Sequence, residues 1–293
     1  MQLRKIVFFA IIGMSTPIFS QQDIFNVPDM RITPKGKFFV QEQNISYPGQ
    51  LQSDTTLLYG LGNNFEIGIN AYNFFYVYRK DKQPFFDPVL YYLNNIVPYS
   101  DLQREFNVGQ NLTFNLQKRW DFTDWFSVSL GGKAGGAYSE KAKTYVPAKD
   151  AYFLMQFTIP KVETRIYGGG YSGNPGFYGT YQNARIFDPE ISILYLNNNR
   201  ATDGYVAYEL FGNKKDRINL TGVMLGLDQP ILKNKVHFIC DFISGVNALG
   251  VSVWGLSYFV SENFSLNVGY QVPNPGSGIL NPHAVLTEVN FLF

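Results

Sequence analysis

Apolar and polar residues alternate one by one along most of this chain, and this period constrains the fold more than any other feature. Residues 264–270 read Phe-Ser-Leu-Asn-Val-Gly-Tyr, and residues 106–117 repeat the pattern. A period of two places successive side chains on opposite faces of a β-strand. The polar face is rich in Asn, Gly, Ser and Thr instead of Lys and Glu, which favours a crowded barrel interior over a water-facing sheet.

Composition separates a membrane barrel from a secreted β domain. Charged residues make up 16% of the 293 residues and aromatic residues 17%, mostly Phe and Tyr. Soluble domains average about 25% charged residues. Low charge and many rings suit strands that contact lipid, with aromatic residues at the membrane interface. The net charge is +1 and no run of Lys and Arg stands out, so no nucleic-acid partner is expected.

The N-terminus has the layout of an export signal. Arg4 and Lys5 precede an apolar run over residues 6–13, and Ser20 and Gln21 flank a suitable cleavage position. The run is shorter than the ~20 residues of a membrane-spanning helix. We therefore divide the chain into a signal peptide (1–20), a periplasmic N-terminal segment (21–36) and an outer-membrane barrel (37–293). The segment 21–36 could lie in the periplasm or partly enter the lumen, and its sequence does not decide.

The predicted fold class is all-β, a single antiparallel up-and-down transmembrane β-barrel of about fourteen strands. Its strands are predicted over residues 37–47, 51–60, 65–78, 106–117, 125–138, 150–159, 162–171, 187–196, 203–211, 217–228, 235–244, 249–260, 264–272 and 284–293. If 187–196 and 203–211 belong to one external loop, the count falls to twelve. Short links alternate with longer ones such as 79–105, 139–150, 172–185 and 273–282, which is typical of periplasmic turns and external loops.

The last strand is the most specific feature of the sequence. Val289, Phe291 and Phe293 share one face and end the chain on an aromatic residue. This ending resembles the C-terminal signal that the bacterial barrel-assembly machinery recognises, which implies that machinery as a partner during biogenesis. We expect the strand to pair with residues 37–47, because pairing of the first and last strands removes both sheet edges. Phe293 should then face lipid, and Glu288 and Asn290 should face the lumen.

Other segments carry a broader resemblance. Residues 59–70, 241–251 and 264–274 read as strand, turn and strand, and they resemble poorly characterised outer-membrane barrels of Bacteroidota-type bacteria, including transporters of small organic compounds. The resemblance covers only part of the mature chain and consists of structural turns. It implies a barrel in the outer membrane of a Gram-negative cell. Because its motifs are turns, it supports the fold much more than any particular substrate.

No catalytic, cofactor-binding or metal-binding constellation is evident, and we expect that the protein is not an enzyme. His237 and Asp241 share a strand face but are separated by about 13 Å of backbone rise, too far for a direct pair. Cys240 lies on the opposite face and has no second cysteine to pair with. An enzyme would become the better reading if His237 lay within hydrogen-bond reach of an exposed Ser and a third orienting group.

Strand parity assigns a mixed set of polar side chains to the lumen. The selectivity candidates among them are Lys133, Glu163, Arg165, His237 and Asp241. The same groups could instead pair with one another and fill the lumen. The external segment 79–105 supplies a second set of candidates, which are Phe85, Phe86, Tyr91, Tyr92 and Tyr99. Those rings could form a binding surface or pack on themselves.

Two functions remain open at this stage. The leading hypothesis is an outer-membrane channel or uptake protein that moves small solutes through a polar lumen, without covalent chemistry. The alternative is a closed structural or adhesive barrel that binds a partner through its external aromatic loops. The first requires a path through the lumen, and the second is favoured by a lumen filled with side chains.

Overall fold

A computed structural model describes residues 23–47, 50–77, 111–139, 144–178, 219–233, 235–245, 247, 249–275 and 283–293. Within them, twelve antiparallel strands close into one barrel. The barrel strands are β3 (Phe38–Tyr47), β4 (Gln50–Gly62), β5 (Phe65–Val77), β6 (Asn111–Thr123), β7 (Phe126–Ser139), β8 (Thr144–Ile159), β9 (Thr164–Gly173), β10 (Thr221–Leu232), β11 (Val236–Ile243), β12 (Val251–Ser261), β13 (Phe264–Pro273) and β14 (Ala284–Leu292). A small hairpin, β1 (Asp23–Ile24) and β2 (Val27–Pro28), precedes them, and one helical turn, α1 (Pro175–Tyr178), follows β9.

The barrel therefore has the twelve strands of the lower estimate, and the estimate of fourteen is wrong. The reason is that β9 pairs directly with β10, with Arg165 opposite Asp228 and Ser172 opposite Thr221. No strand is inserted between these two. The predicted strands 187–196 and 203–211 lie outside the described residues.

The barrel closes where the sequence predicts, between the first and last of its strands. Phe291 lies opposite Val40 in the β14–β3 pairing. Beyond the last bridge, the main-chain N–H groups of Phe38 and Phe293 each donate to the other's carbonyl oxygen, at 2.8 and 2.9 Å. Phe293 is 53% exposed on the outer surface, whereas Glu288 and Asn290 are buried inside. The predicted parity of this strand is confirmed.

The outer surface is an apolar belt. Its exposed side chains include Leu112, Phe114, Leu116, Leu130, Phe153, Ile166, Leu225, Trp254, Leu256, Val268, Val285 and Val289. A soluble protein rarely exposes so continuous an apolar surface, and lipid is the environment that stabilises it. The belt has a polar break on β3 and β4, where Ser53 and Thr55 donate hydrogen bonds to the outward carboxylate of Glu42.

The two ends of the barrel differ. Five links at one end, the turn end, are short, and Phe38 and Phe293 lie at the same end. In the β4–β5 link, Asn63 and Asn64 have φ values of 52° and 55°, which Asn tolerates and tight hairpins require. At the other end, the loop end, β8 begins at Thr144, so part of the loop predicted over 139–150 is strand. In the part of the chain that is described, no helix is long and apolar enough to cross a membrane.

Candidate functional site: the barrel lumen

Most of the predicted lumen residues do face inward. Arg165, His237 and Asp241 are buried or nearly so among inward positions, and Lys133 faces the lumen beside Tyr72. Others from the same parity argument, namely Glu66, Asn70, Asn267, Glu288 and Asn290, are also buried inside. Asn107 and the rings at positions 85, 86, 91, 92 and 99 lie outside the described residues.

Glu163 is the exception, and its assignment to the lumen is wrong. It lies in the turn between β8 and β9 with a φ of 55°, because the strand that was expected to begin at residue 162 begins at Thr164. Its carboxylate accepts a hydrogen bond from Lys233 Nζ at 2.6 Å, and both side chains are well exposed. The pair sits at the turn end, outside the lumen.

Residues 25–35 of the N-terminal segment lie inside the barrel, which is the second of the two placements that the sequence left open. Phe25, Val27, Asp29 and Met30 are each at most 3% exposed. The chain leaves the lumen at the turn end, where the Gly36 N–H donates to the Gly60 carbonyl at 2.8 Å and β3 then begins. We refer to residues 25–35 as the N-terminal plug.

Wall side chains hold the main chain of the plug along its length. Asp241 Oδ2 accepts from the N–H groups of Asn26 and Val27 at 2.5 and 3.0 Å. Glu66 Oε2 accepts from the N–H and the hydroxyl of Thr33 at 2.7 and 2.8 Å. Polar wall side chains also donate to plug carbonyl oxygens, with Gln43 bonded to Phe25, Gln117 to Asp29 and Arg119 to Met30, at 2.8 to 2.9 Å.

Asp228 is the centre of a buried charge cluster. Its carboxylate contacts the Arg165 guanidinium, lies 2.6 Å from His237 Nδ1 and lies 3.5 Å from the guanidinium of Arg31 in the plug. Arg31 also contacts Asp29. Asp228 is fully buried, and a buried carboxylate requires such partners. The cluster therefore joins three strands, β9, β10 and β11, to the plug.

Sequence reasoning missed Asp228 and the plug residues Asp29 and Arg31. Strand parity could have assigned Asp228 to the lumen, because Met224 and Gly226 share its face of the strand and all three are buried inside. His237 was compared with Asp241 on its own strand, whereas its partner lies on the adjacent strand. For Asp29 and Arg31 no strand parity applied.

Phe25 anchors the inner end of the plug. Gly255 and Gly269 lie opposite each other on β12 and β13, and both face inward. A Cβ built on Gly269 would lie 2.5 Å from Cζ of the Phe25 ring, and one built on Gly255 would lie 2.6 Å from it. The two glycines thus form a flat recess that receives the ring. Phe25 itself has a φ of 67°, which is uncommon for a bulky residue and persists where contacts hold it.

The loop-end half of the lumen is mainly apolar, with Asn247 and Gln271 among its buried polar side chains, so the lumen is not polar throughout as predicted. Ile243 and Val251 are fully buried there, and Tyr171, Phe177 and Tyr178 pack with them in one cluster. The rings of Tyr171 and Tyr178 stack at 4.4 Å. α1 folds back and brings Phe177 and Tyr178 inside, so among the described residues packed side chains occupy this half.

Lys133 lies at the edge of that cluster. Its ammonium donates to the Tyr72 hydroxyl at 2.8 Å and lies 5.7 Å from the centre of the Phe177 ring. Asp150, opposite Lys133 on β8, accepts a hydrogen bond from the hydroxyl of Tyr178 at 3.3 Å. Burial, with Asp150 nearby, raises the pKa of Tyr178 well above its usual value, so this hydroxyl stays protonated and able to donate.

One cavity separates the plug from the wall. Pro28, Glu66, Asn70, Gln117 and Lys133 are among its lining residues. The space is spread thinly over these groups and admits only about one or two water molecules. No solute of the size of a sugar or an amino acid fits beside the plug at this point.

The surroundings of His237 show whether it could belong to a hydrolytic site. Ser257 lies directly opposite His237 in the β11–β12 pairing, but its hydroxyl makes no hydrogen bond within the described part of the chain and is fully buried. Ser257 is therefore not the exposed Ser that a hydrolytic site would need beside His237. Among the described residues no group of three or more His, Cys, Asp or Glu side chains could hold a metal ion.

Comparisons with known proteins add only the barrel shape. No protein-family profile and no curated protein matches the sequence. Similar solved structures include a KdgM porin in complex with disordered oligogalacturonate (TM-score 0.44, 8% identity, 87% of this chain and 98% of that chain). They also include outer membrane phospholipase A from Escherichia coli (TM-score 0.38, 8% identity, 89% and 97%) and outer membrane protein Omp33 of Acinetobacter baumannii (0.37, 9%, 88% and 99%). Similarity this weak carries no conclusion about function.

Proposed function

We propose that this chain is an outer-membrane channel or uptake protein for small solutes, and that its N-terminal plug closes the lumen. The apolar belt and the division into a turn end and a loop end support residence in the outer membrane of a Gram-negative cell, with the turn end in the periplasm. Residues 1–20 would direct export as a signal peptide and would be removed on translocation. Val289, Phe291 and Phe293 would then be the part of the last strand that the assembly machinery recognises.

The way in which the plug is attached carries this proposal. Apart from its covalent link through Gly36, the plug is held mainly by side chains of the wall. Among the described residues, its main-chain hydrogen bond and bridge to the barrel are at Gly36 and Lys35 beside Gly60, where Thr33 and Pro34 also pass close. The plug can therefore leave the lumen without unpairing any strand. A closing element on a single tether is the arrangement that a gate requires.

Removal of the plug would leave a polar passage in the turn-end half. Its wall would present Glu66, Asp228 and Asp241 together with the cations Arg119 and Arg165. Of the predicted selectivity residues, Lys133, Arg165, His237 and Asp241 remain candidates, since they line the lumen, and Glu163 does not. Opening of the loop-end half would additionally require movement of α1, so a barrel without its plug would conduct in separate events, each when α1 moves, and not continuously.

Planar-bilayer recordings test the proposal. A variant that lacks residues 22–34 should show frequent conducting events, whereas the full-length protein should be closed for most of the recording. Glu163→Gln is the matched control, because it removes a carboxylate outside the lumen, and it should behave like the full-length protein. A deletion variant that keeps its β-sheet circular dichroism but conducts no ions and admits no solute into liposomes would exclude the channel.

The apolar loop-end half favours a second candidate, a closed barrel that binds a partner through its external loops. Lumen side chains that pack as a core stabilise a barrel and leave no path. In that case the plug-deleted barrel stays silent, and removal of loop 79–105 with its aromatic residues abolishes binding of the partner. The conductance of the deletion variant thus separates the two candidates.

A further inference from the structure

We propose that the lumen wall behind the plug is a binding site for short peptides that begin with a turn, and that the plug occupies this site as a tethered ligand. The inference rests on the proposed function, because the plug must leave before another peptide can enter. Peptides would then be the class of ligand that the turn-end half of the lumen binds.

The wall recognises main-chain groups along most of the plug. In order along the plug, the bonded groups are the carbonyl of Phe25, the N–H groups of Asn26 and Val27, the carbonyls of Asp29 and Met30, and the N–H of Thr33. Each of these groups is present in any peptide, whatever its side chains. Binding through them is therefore largely independent of sequence.

At each position the wall side chain has the hydrogen-bonding group that the main chain of the plug requires. Carboxylates, on Glu66 and Asp241, meet the N–H donors, and the donors of Gln43, Gln117 and Arg119 meet the carbonyl acceptors. Glu66, Gln117 and Asp241 are at most 5% exposed, so solvent replaces a lost partner poorly. A ligand that displaces the plug must supply the same series of N–H and C=O groups over about nine residues, and a short peptide that forms the same turn at its first residues does so.

Two side chains of the plug add selectivity. The Phe25 ring lies in the recess of Gly255 and Gly269, and the Arg31 guanidinium reaches Asp228. The preferred ligand therefore has an aromatic residue and, six positions later, a cationic residue. Val27 and Met30 are fully buried between them, which favours apolar side chains at these two positions, whereas the buried Asp29 contacts Arg31.

Binding of labelled peptides to the plug-deleted barrel (lacking residues 22–34) in detergent micelles tests the site. The probe has the sequence of residues 23–35, with a fluorophore at its C-terminal end, where the native chain leaves the lumen. Fluorescence anisotropy should show at least about tenfold tighter binding to the deletion variant than to the full-length protein, because the tethered plug competes at high effective concentration.

Three further peptides define the ligand class. One has an unrelated apolar sequence but keeps the aromatic and arginine residues six positions apart, and we expect its Kd within about tenfold of the first. A second carries Ala at both positions and should bind about tenfold or more weakly. The third is the first peptide with its main-chain N–H groups at positions 26, 27 and 33 methylated, and it should not bind measurably.

Wall variants locate the site within the lumen. Glu66→Gln in the deletion background should weaken binding of all the peptides by about tenfold, whereas Glu163→Gln, the same change outside the lumen, should leave binding unaltered. If the deletion variant does not fold, the full chain with Phe25→Ala and Arg31→Ala, whose plug is weakened, replaces it in the same assays.

The outcomes separate this inference from the proposed function. Peptide binding by a barrel that never conducts would support the peptide site and exclude the channel. Conductance without binding of any peptide would overturn the peptide site and leave the channel intact. Binding of the plug sequence alone, with no binding of the unrelated peptide, would also overturn the inference, since the wall would then recognise only its own chain.

Discussion

The two halves of the lumen are closed by different physical means. In the turn-end half, charged and polar side chains hold a separate segment of the chain, and Asp228 joins cations from the wall and from the plug. In the loop-end half, apolar side chains such as Ile243 and Val251 pack with the aromatic rings of α1. Both halves are inside one barrel and are equally buried.

This difference indicates which half of the lumen can open. A buried ion pair gains little net stability over an apolar core, but the loss of one partner is costly, so such contacts favour a defined geometry. Apolar packing is not directional and stabilises in proportion to the area buried. We therefore interpret the turn-end half as a lock for the plug and the loop-end half as the folding core of the barrel.

Asp228→Ala should have the largest effect, because it leaves the guanidinium of Arg165 buried without its carboxylate. Arg31 of the plug loses a partner as well. We expect a decrease of about 3–5 kcal/mol in the free energy of unfolding. Urea unfolding in lipid vesicles, followed by tryptophan fluorescence, measures it.

Glu163→Ala provides the control for Asp228→Ala. It removes a carboxylate from an exposed pair with Lys233, and such pairs contribute about 0–1 kcal/mol. If the free energy of unfolding fell equally in the two variants, burial would not give Asp228 a special role. The interpretation of the turn-end half as a lock would then fail.

Ile243→Ala should have the next largest effect, through the cavity that it opens in the loop-end half. Ile243 is fully buried in the apolar cluster, and truncations of this kind cost about 2–4 kcal/mol. Leu266→Ala on the lipid-facing side of β13 is the control, and it should cost less because lipid fills the space. If Ile243→Ala opened the channel as plug deletion does, the assignment of the two halves would be reversed.

The sequence was sufficient for the barrel and its closure, because a period of two determines which face each strand residue occupies. Parity placed Glu288, Asn290 and Phe293 correctly. It failed for Glu163, since a turn residue with positive φ belongs to neither face. The strand count was ambiguous because an apolar stretch in a long link, such as 187–196, has the same local pattern as a barrel strand.

The plug could not be predicted from local pattern. Residues 25–35 form no regular element beyond one short hairpin, and their positions depend on wall groups far away in sequence, such as Asp241 and Gln117. The pairing of His237 with Asp228 depends similarly on the register between two strands, which spacing along one strand does not reveal. Long-range contacts therefore define the site, whereas local periodicity defines the fold.

Gly269→Ala should have the smallest of these effects, and it tests the boundary between the two halves. The new Cβ would lie 2.5 Å from the Phe25 ring and 2.9 Å from Val253, so the ring must leave its recess. Overpacking of this kind costs about 1–3 kcal/mol. Gly168→Ala, whose Cβ would meet only Leu225 at 3.6 Å, is the matched control and should change stability by less than about 0.5 kcal/mol.

A double-mutant cycle with Phe25→Ala decides what the recess is for. If Gly269 is small in order to receive the ring, the cost of Gly269→Ala should fall below about 0.5 kcal/mol once the ring is absent, because the clash is then gone. Gly269→Ala alone should also raise the frequency of conducting events, since the inner end of the plug is no longer anchored. If the decreases in the free energy of unfolding were additive in the cycle, Gly269 would be required only by the geometry of its strand. Phe25 would then belong to the apolar core and not to the lock that holds the plug.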